Sequence, residues 1–216
     1  MLIAPVDWSV VVLGAWNRAI LTPSGISKRL FGLPAGTQLE VFVPLDVLAP
    51  FKVRHEDINV IAGSDRLIIS PEYSTNAGIK KAMGIAKKAL QSLPETPVTA
   101  AGINFRYKSE KPLEALAEAV GHEIDQAFSD LELLVLTRSV SRAVRWKKGE
   151  IRIVVSQEAD QNYSILLNFH RESNETKDLI EWFSITTGTL SKQVDDILYK
   201  CLGIPDGSIN NEDKKR

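Results

Sequence analysis

Glu150-Ile-Arg-Ile-Val-Val-Ser-Gln157, followed by Tyr163-Ser-Ile-Leu-Leu-Asn-Phe169 and the stretch from Ser173 to Gly203, sets the architecture of this chain. The runs Ile151 to Val155 and Tyr163 to Phe169 are rich in β-branched and aromatic residues and read as strands. The polar break from Gln157 to Asn162 reads as the loop of a hairpin between them. Leu179, Phe183, Thr186, Leu190, Val194, Ile197 and Cys201 then recur at steps of three or four, which predicts one long helix with a single buried stripe. Ser173 or Asn174 suits its N-cap, Gly203 suits its C-terminal stop, and Pro205 lies just beyond.

A weaker version of the same plan occurs earlier. Ile58 to Ala62, a Gly63-Ser64-Asp65 turn and Arg66 to Ser70 form a predicted hairpin, with helical spacing from Asn76 to Leu93 after it. The pattern suggests two similar hairpin–helix halves.

Around these units, Trp8 to Trp16 is apolar on both parities and reads as a strand covered on both faces. Thr22-Pro23 starts a short helix that Gly32 and Pro34 stop. Gln38 to Leu45 reads as an edge strand, with Leu39, Val41, Val43 and Leu45 on one face and Pro44 inside it. Phe51 to His55 is a further short strand. Val98 to Tyr107 carries Ile103, Phe105 and Tyr107 on one face. Pro112 falls in the first turn of a predicted helix with Leu113, Leu116, Val120, Ile124 and Phe128 on one stripe. Leu131 to Trp146 reads as one long strand, bent near Thr137 where its apolar pattern changes. The fold class is therefore α+β: an antiparallel sheet with long amphipathic helices on one face. We place an N-terminal half at 1–108 and a C-terminal half at 109–203 within one compact domain. A polar tail, 204–216, is expected to be disordered.

Composition narrows the function. A chain of 216 residues that is 44% apolar and 25% charged has enough material for a sizeable core. Its net charge of −1 gives no global attraction to nucleic acid or an anionic membrane. Cys201 is the only cysteine, which rules out an internal disulfide and fits a reducing compartment. The first residues carry no positive n-region, and Asn17-Arg18 breaks the apolar run from Val10 to Trp16. No stretch approaches the roughly 20 apolar residues of a membrane span. The expected location is the cytoplasm.

Catalytic signatures are missing. His55, His122 and His170 lie on different predicted elements with no ligand-spaced partner, and His122-Glu123 lacks the second histidine of a zinc helix. His122, between Glu118 and Asp125, reads as a surface ion-pair histidine. No Gly-x-Ser-x-Gly elbow, phosphate loop or dinucleotide fingerprint occurs. Cys201 is expected on the buried stripe, where a thiol behaves as a small hydrophobe. Gly188 reads as a kink or a close packing point. No metal or cofactor is implied.

Charge, in contrast, is sorted along the chain. Asn76 to Leu93 carries Lys80, Lys81, Lys87 and Lys88 and no acid, while Glu110 to Glu132 holds seven acids and one lysine. Arg138, Arg142, Arg145, Lys147, Lys148 and Arg152 form a second basic cluster around Trp146. Pairing between helices, self-association, and a grip on phosphates or single-stranded nucleic acid compete as explanations, the last being the least favoured. The leading expectation is a non-catalytic interaction or assembly protein, a homo-oligomer or subunit acting through its surfaces. The alternative is a small-molecule-binding protein or enzyme with a pocket around Trp16, Asn17, Arg18, His55 and His170, although Trp16 also suits a core and Asn17 a turn.

Overall fold

Alternation of buried and half-exposed side chains marks the strands Ile58–Ala62, Arg66–Pro71 and Tyr163–Glu172 of the sheet. The structure, a computed structural model, describes residues 3–46, 49–109, 111–121, 123–158 and 162–205. Its strands are β1 (Ile3–Gly14), β2 (Glu40–Phe42), β3 (Lys52–His55), β4 (Ile58–Ala62), β5 (Arg66–Pro71), β6 (Val98–Ser109), β7 (Arg138–Trp146), β8 (Gly149–Gln157) and β9 (Tyr163–Glu172). They form one nine-stranded antiparallel sheet in the order β2-β3-β4-β5-β1-β6-β9-β8-β7. The helices are α1 (Pro23–Ile26), α2 (Asn76–Ser92), α3 (Glu114–Val120), α4 (Ile124–Asp130), α5 (Thr176–Trp182) and α6 (Thr187–Asp195), with π-helical turns at Ser27–Phe31 and Asp196–Cys201. The α+β class is thus as expected. The chain divides into two compact units, one of Asp7–Asn104 with Phe169–Thr187, the other of Met1–Val6, Phe105–Asn168 and Gly188–Arg216.

In the first of these units, β1 and β5 pair with Val10 opposite Ile69 and Val12 opposite Leu67, all four buried. β4 continues the same face, with Val60 opposite Ile69 and Ala62 opposite Leu67. The other face, carrying Val11, Leu13, Ile61 and Ile68, is half-exposed, so β1 is not covered equally on both sides. Asp7 has φ 48°, and buried positions switch there from odd (Ile3) to even (Trp8), the signature of a bulge. α2 packs on β4 and β5 and buries Ile79, Met83, Ala86 and Leu90. Thr75 caps it by accepting the Gly78 N–H. Thr22 likewise accepts the Gly25 N–H with Pro23 in the first turn, and Gly32, at φ 73°, ends the π turn that follows. The strand predicted over Gln38–Leu45 shrinks to β2, at the sheet edge, with Pro44 outside it. Val41, Val43 and Leu45 are exposed.

The long helix predicted after β9 is broken. α5 ends at Trp182, and Ser184 and Ile185 donate to Glu181 and Trp182, three residues back, which tightens the last turn. The Ser184 hydroxyl also bonds back to the Ile180 carbonyl, a competitor of helical propagation. Neither predicted N-cap of this helix, Ser173 or Asn174, serves as its cap. Glu175 is the N-cap, while Ser173 accepts the Glu175 N–H and donates to Asp178. Gly188 sits just after the break rather than at a kink, and a Cβ there would meet nothing within 4 Å.

In the other unit, β7 and β8 form a hairpin from Arg138 opposite Gln157 to Trp146 opposite Gly149. Its helical stripe is Leu190, Val194, Ile197 and Leu198. Cys201, expected on this stripe, is exposed. The π-helical turn lengthens the repeat at Asp196–Cys201, which puts Leu198 and then Leu202 inside and turns the thiol out. Gly203 follows at φ 66°, the left-handed stop expected of it. Ile204, assigned above to the polar tail, is buried. The rest of that tail from residue 206, and His122, lie outside the described residues.

Candidate functional site

The single helix expected from Pro112 to Phe128 is two short ones. Pro112 precedes the N-cap Leu113, and α3 buries Leu116 and Val120. Gly121, with ψ 147°, then leaves the helical path. The next turns no longer follow the stripe, so Ile124 and Phe128 face outward and α4 has no buried residue. Residues 131–137, expected as the first part of a long strand, are irregular, and the strand begins only at Arg138. No bend is needed at Thr137, which lies outside the strand. Leu131, Leu134 and Leu136 are 68%, 82% and 64% exposed, more than single scattered surface leucines require. The segment is nevertheless pinned. Leu131 and Leu133 donate to the Phe128 carbonyl, and the Arg138 guanidinium bonds Asp125 and Gln157, each at 2.6 Å. Along the chain, this apolar ridge lies between the acids Glu114, Glu118 and Glu123 and the basic edge strand β7.

The basic cluster is divided by strand alternation. Arg142 lies opposite Ile153, on the face where Ile151 and Val155 are buried, whereas Arg145 lies opposite Glu150 on the other face. Arg138 is paired with Asp125, and Arg152 with Glu150 at 2.5 Å. Lys147, at φ 50°, stands in the β7–β8 turn with its ammonium 5.2 Å from the Trp146 ring centre. Trp146 itself donates to the Gln193 amide oxygen at 3.0 Å. The six cations thus point to two faces and a turn and do not form one patch.

Of the five residues proposed to share a pocket, Trp16 is buried and its indole N–H donates to the Val12 carbonyl at 3.1 Å. Asn17 accepts the Ala19 N–H in an exposed turn, and Arg18 is exposed beside it. His170 is half-exposed on β9. His55 alone of the five lines a groove of about 410 Å³ between the Ser27–Phe31 turn, the β3–β4 connection and α2. Its ring lies 5.4 Å from that of Phe31. The sequence reading did not single out Phe31, Gly84 or the place of Lys81 and Lys88 on the rim of this groove. A glycine in the middle of the lysine stripe was the available signal.

Among the described residues no group of three or more His, Cys, Asp or Glu is placed to hold a metal ion. Among them, too, no helix is long and apolar enough to cross a membrane. No protein-family model matches the chain, and no curated protein is significantly similar to it.

Proposed function

We propose that this is a non-catalytic assembly protein that associates with a second copy of itself through the ridge at Ile124, Phe128, Leu131, Leu133, Leu134 and Leu136. The observation that carries this reading is the exposure of six large apolar side chains along thirteen consecutive positions held by backbone and ion-pair bonds. Acids precede the ridge in the chain and cations follow it. A two-fold axis through such a surface sets the acidic flank of one copy against the basic flank of the other, which is what a self-complementary contact requires. The single cysteine and the balanced charge fit a cytoplasmic subunit.

Native mass spectrometry and light scattering on the full chain test this. The wild type is expected to be dimeric or larger well above micromolar concentration, and Leu134→Lys with Leu136→Lys is expected to be monomeric and still to unfold cooperatively, at a melting temperature that no longer depends on protein concentration. A monomeric wild type would refute self-association.

A further inference from the structure

The groove beside α2 lies wholly within the unit formed by Asp7–Asn104 and Phe169–Thr187. Its volume of about 410 Å³ falls in the range of roughly 300–1,000 Å³ usual for small-molecule sites. Leu30, Phe31, Leu33, Ile58 and Ile85 give it an apolar body. On the α2 rim stand Lys81 and Lys88, two turns and so about 10 Å apart along the helix. These two cations are not equivalent. Lys81 is satisfied by Asp57 at 2.8 Å and Glu56 at 3.8 Å, whereas among the described residues no carboxylate lies within 4 Å of Lys88.

Between the two lysines is Gly84. A mid-helix glycine weakens a helix relative to alanine, so its presence asks for a reason in packing. None comes from the chain, because a Cβ at position 84 would meet nothing within 4 Å. Gly84 lines the groove, and any side chain there would occupy its mouth. An apolar slot, an uncompensated ammonium at one end and an entrance kept clear of side chains together fit one ligand chemistry.

We propose that this groove binds a small apolar carboxylate, its hydrocarbon body along Phe31, Leu33 and Ile85 and its headgroup on Lys88. A carboxylate at an exposed lysine forms a charge-assisted hydrogen bond that an alcohol of the same length cannot match.

Calorimetric titration of the full chain with decanoate below its micellar concentration tests the proposal, with decanol as the uncharged probe. Saturable binding of decanoate is expected, weaker by about tenfold in Lys88→Met, with decanol similarly weak on the wild type. Gly84→Leu is expected to abolish binding while melting at or above the wild-type temperature, which separates a blocked groove from a misfolded one. Leu134→Lys with Leu136→Lys is expected to bind as the wild type does. Absence of saturable binding to the wild type, equal affinity for decanol, or binding that survives Gly84→Leu but is lost on changing the leucine ridge would each overturn the assignment. None of these outcomes depends on whether the protein self-associates.

Discussion

Replacing Gly78 and Gly84 of α2 by alanine is the same chemical change twice in one helix, and the structure assigns the two opposite signs. Alanine is favoured over glycine by roughly 1 kcal/mol in a helix interior. At position 84 the new methyl meets nothing within 4 Å, so that gain is realised in full. At position 78 the Cβ would lie 2.6 Å from Pro71 Cβ and 2.9 Å from the Tyr73 carbonyl oxygen. Pro71 is a buried ring at the end of β5, in register with Ile58, and cannot swing aside. Overpacking of this kind costs about 1–3 kcal/mol, and the propensity gain is smaller in the first helical turn, where Gly78 sits. We therefore expect Gly84→Ala to stabilise by about 1 kcal/mol and Gly78→Ala to destabilise by about 1–2 kcal/mol. For a chain of this size each kcal/mol moves the melting temperature by roughly 2–4 °C. Urea unfolding at one pH, with equal slopes for the three proteins, is the assay. Two shifts of the same sign would refute the packing assigned to this helix.

Tyr107 supplies a pH test. It is 3% exposed, and burial, aided by Asp195 and then Tyr199, raises its phenol well above the ordinary value. The unfolded chain ionises first, so the contribution is intact below about pH 10 and fades above it. Between pH 9 and pH 11 the wild type should lose about 1.4 kcal/mol more than Tyr107→Phe; identical losses would contradict the assignment. For the basic cluster, Arg142→Glu with Arg145→Glu should change retention on a polyanion column only slightly, because the two side chains leave opposite faces of β7. A collapse of salt-dependent retention would instead favour nucleic-acid binding.

What the sequence could convey depended on whether its signal was local. Val60, Ala62, Leu67 and Ile69 alternate and are buried as alternation demands, and the stripe Ile79, Met83, Ala86 and Leu90 lies inside α2. Apolar spacing records a capacity for burial, however, and not the presence of something to bury against. Ile124 and Phe128 continue the spacing of Leu116 and Val120, yet Gly121 turns the chain away from the surface those residues cover. Leu131 to Leu136 has the composition of a covered strand and no cover. Phe183 to Thr186 hides a helix break inside an unbroken period, since hydroxyl bonding and tight turns leave no trace in hydropathy. The groove at Lys88 could not be read at all, because its walls come from segments about 25 and 50 residues apart that only the tertiary fold assembles.

The two compact units are not consecutive lengths of chain. One begins at Asp7 and needs Phe169–Thr187 to be whole, while the other begins at Met1 and resumes at Gly188. During synthesis, then, nothing on the ribosome can close either unit until the chain has emerged to Thr187 or beyond. Fragments cut near the middle should be orphans rather than domains, and the newborn chain must wait with its greasy strands uncovered longer than a protein of beads on a string.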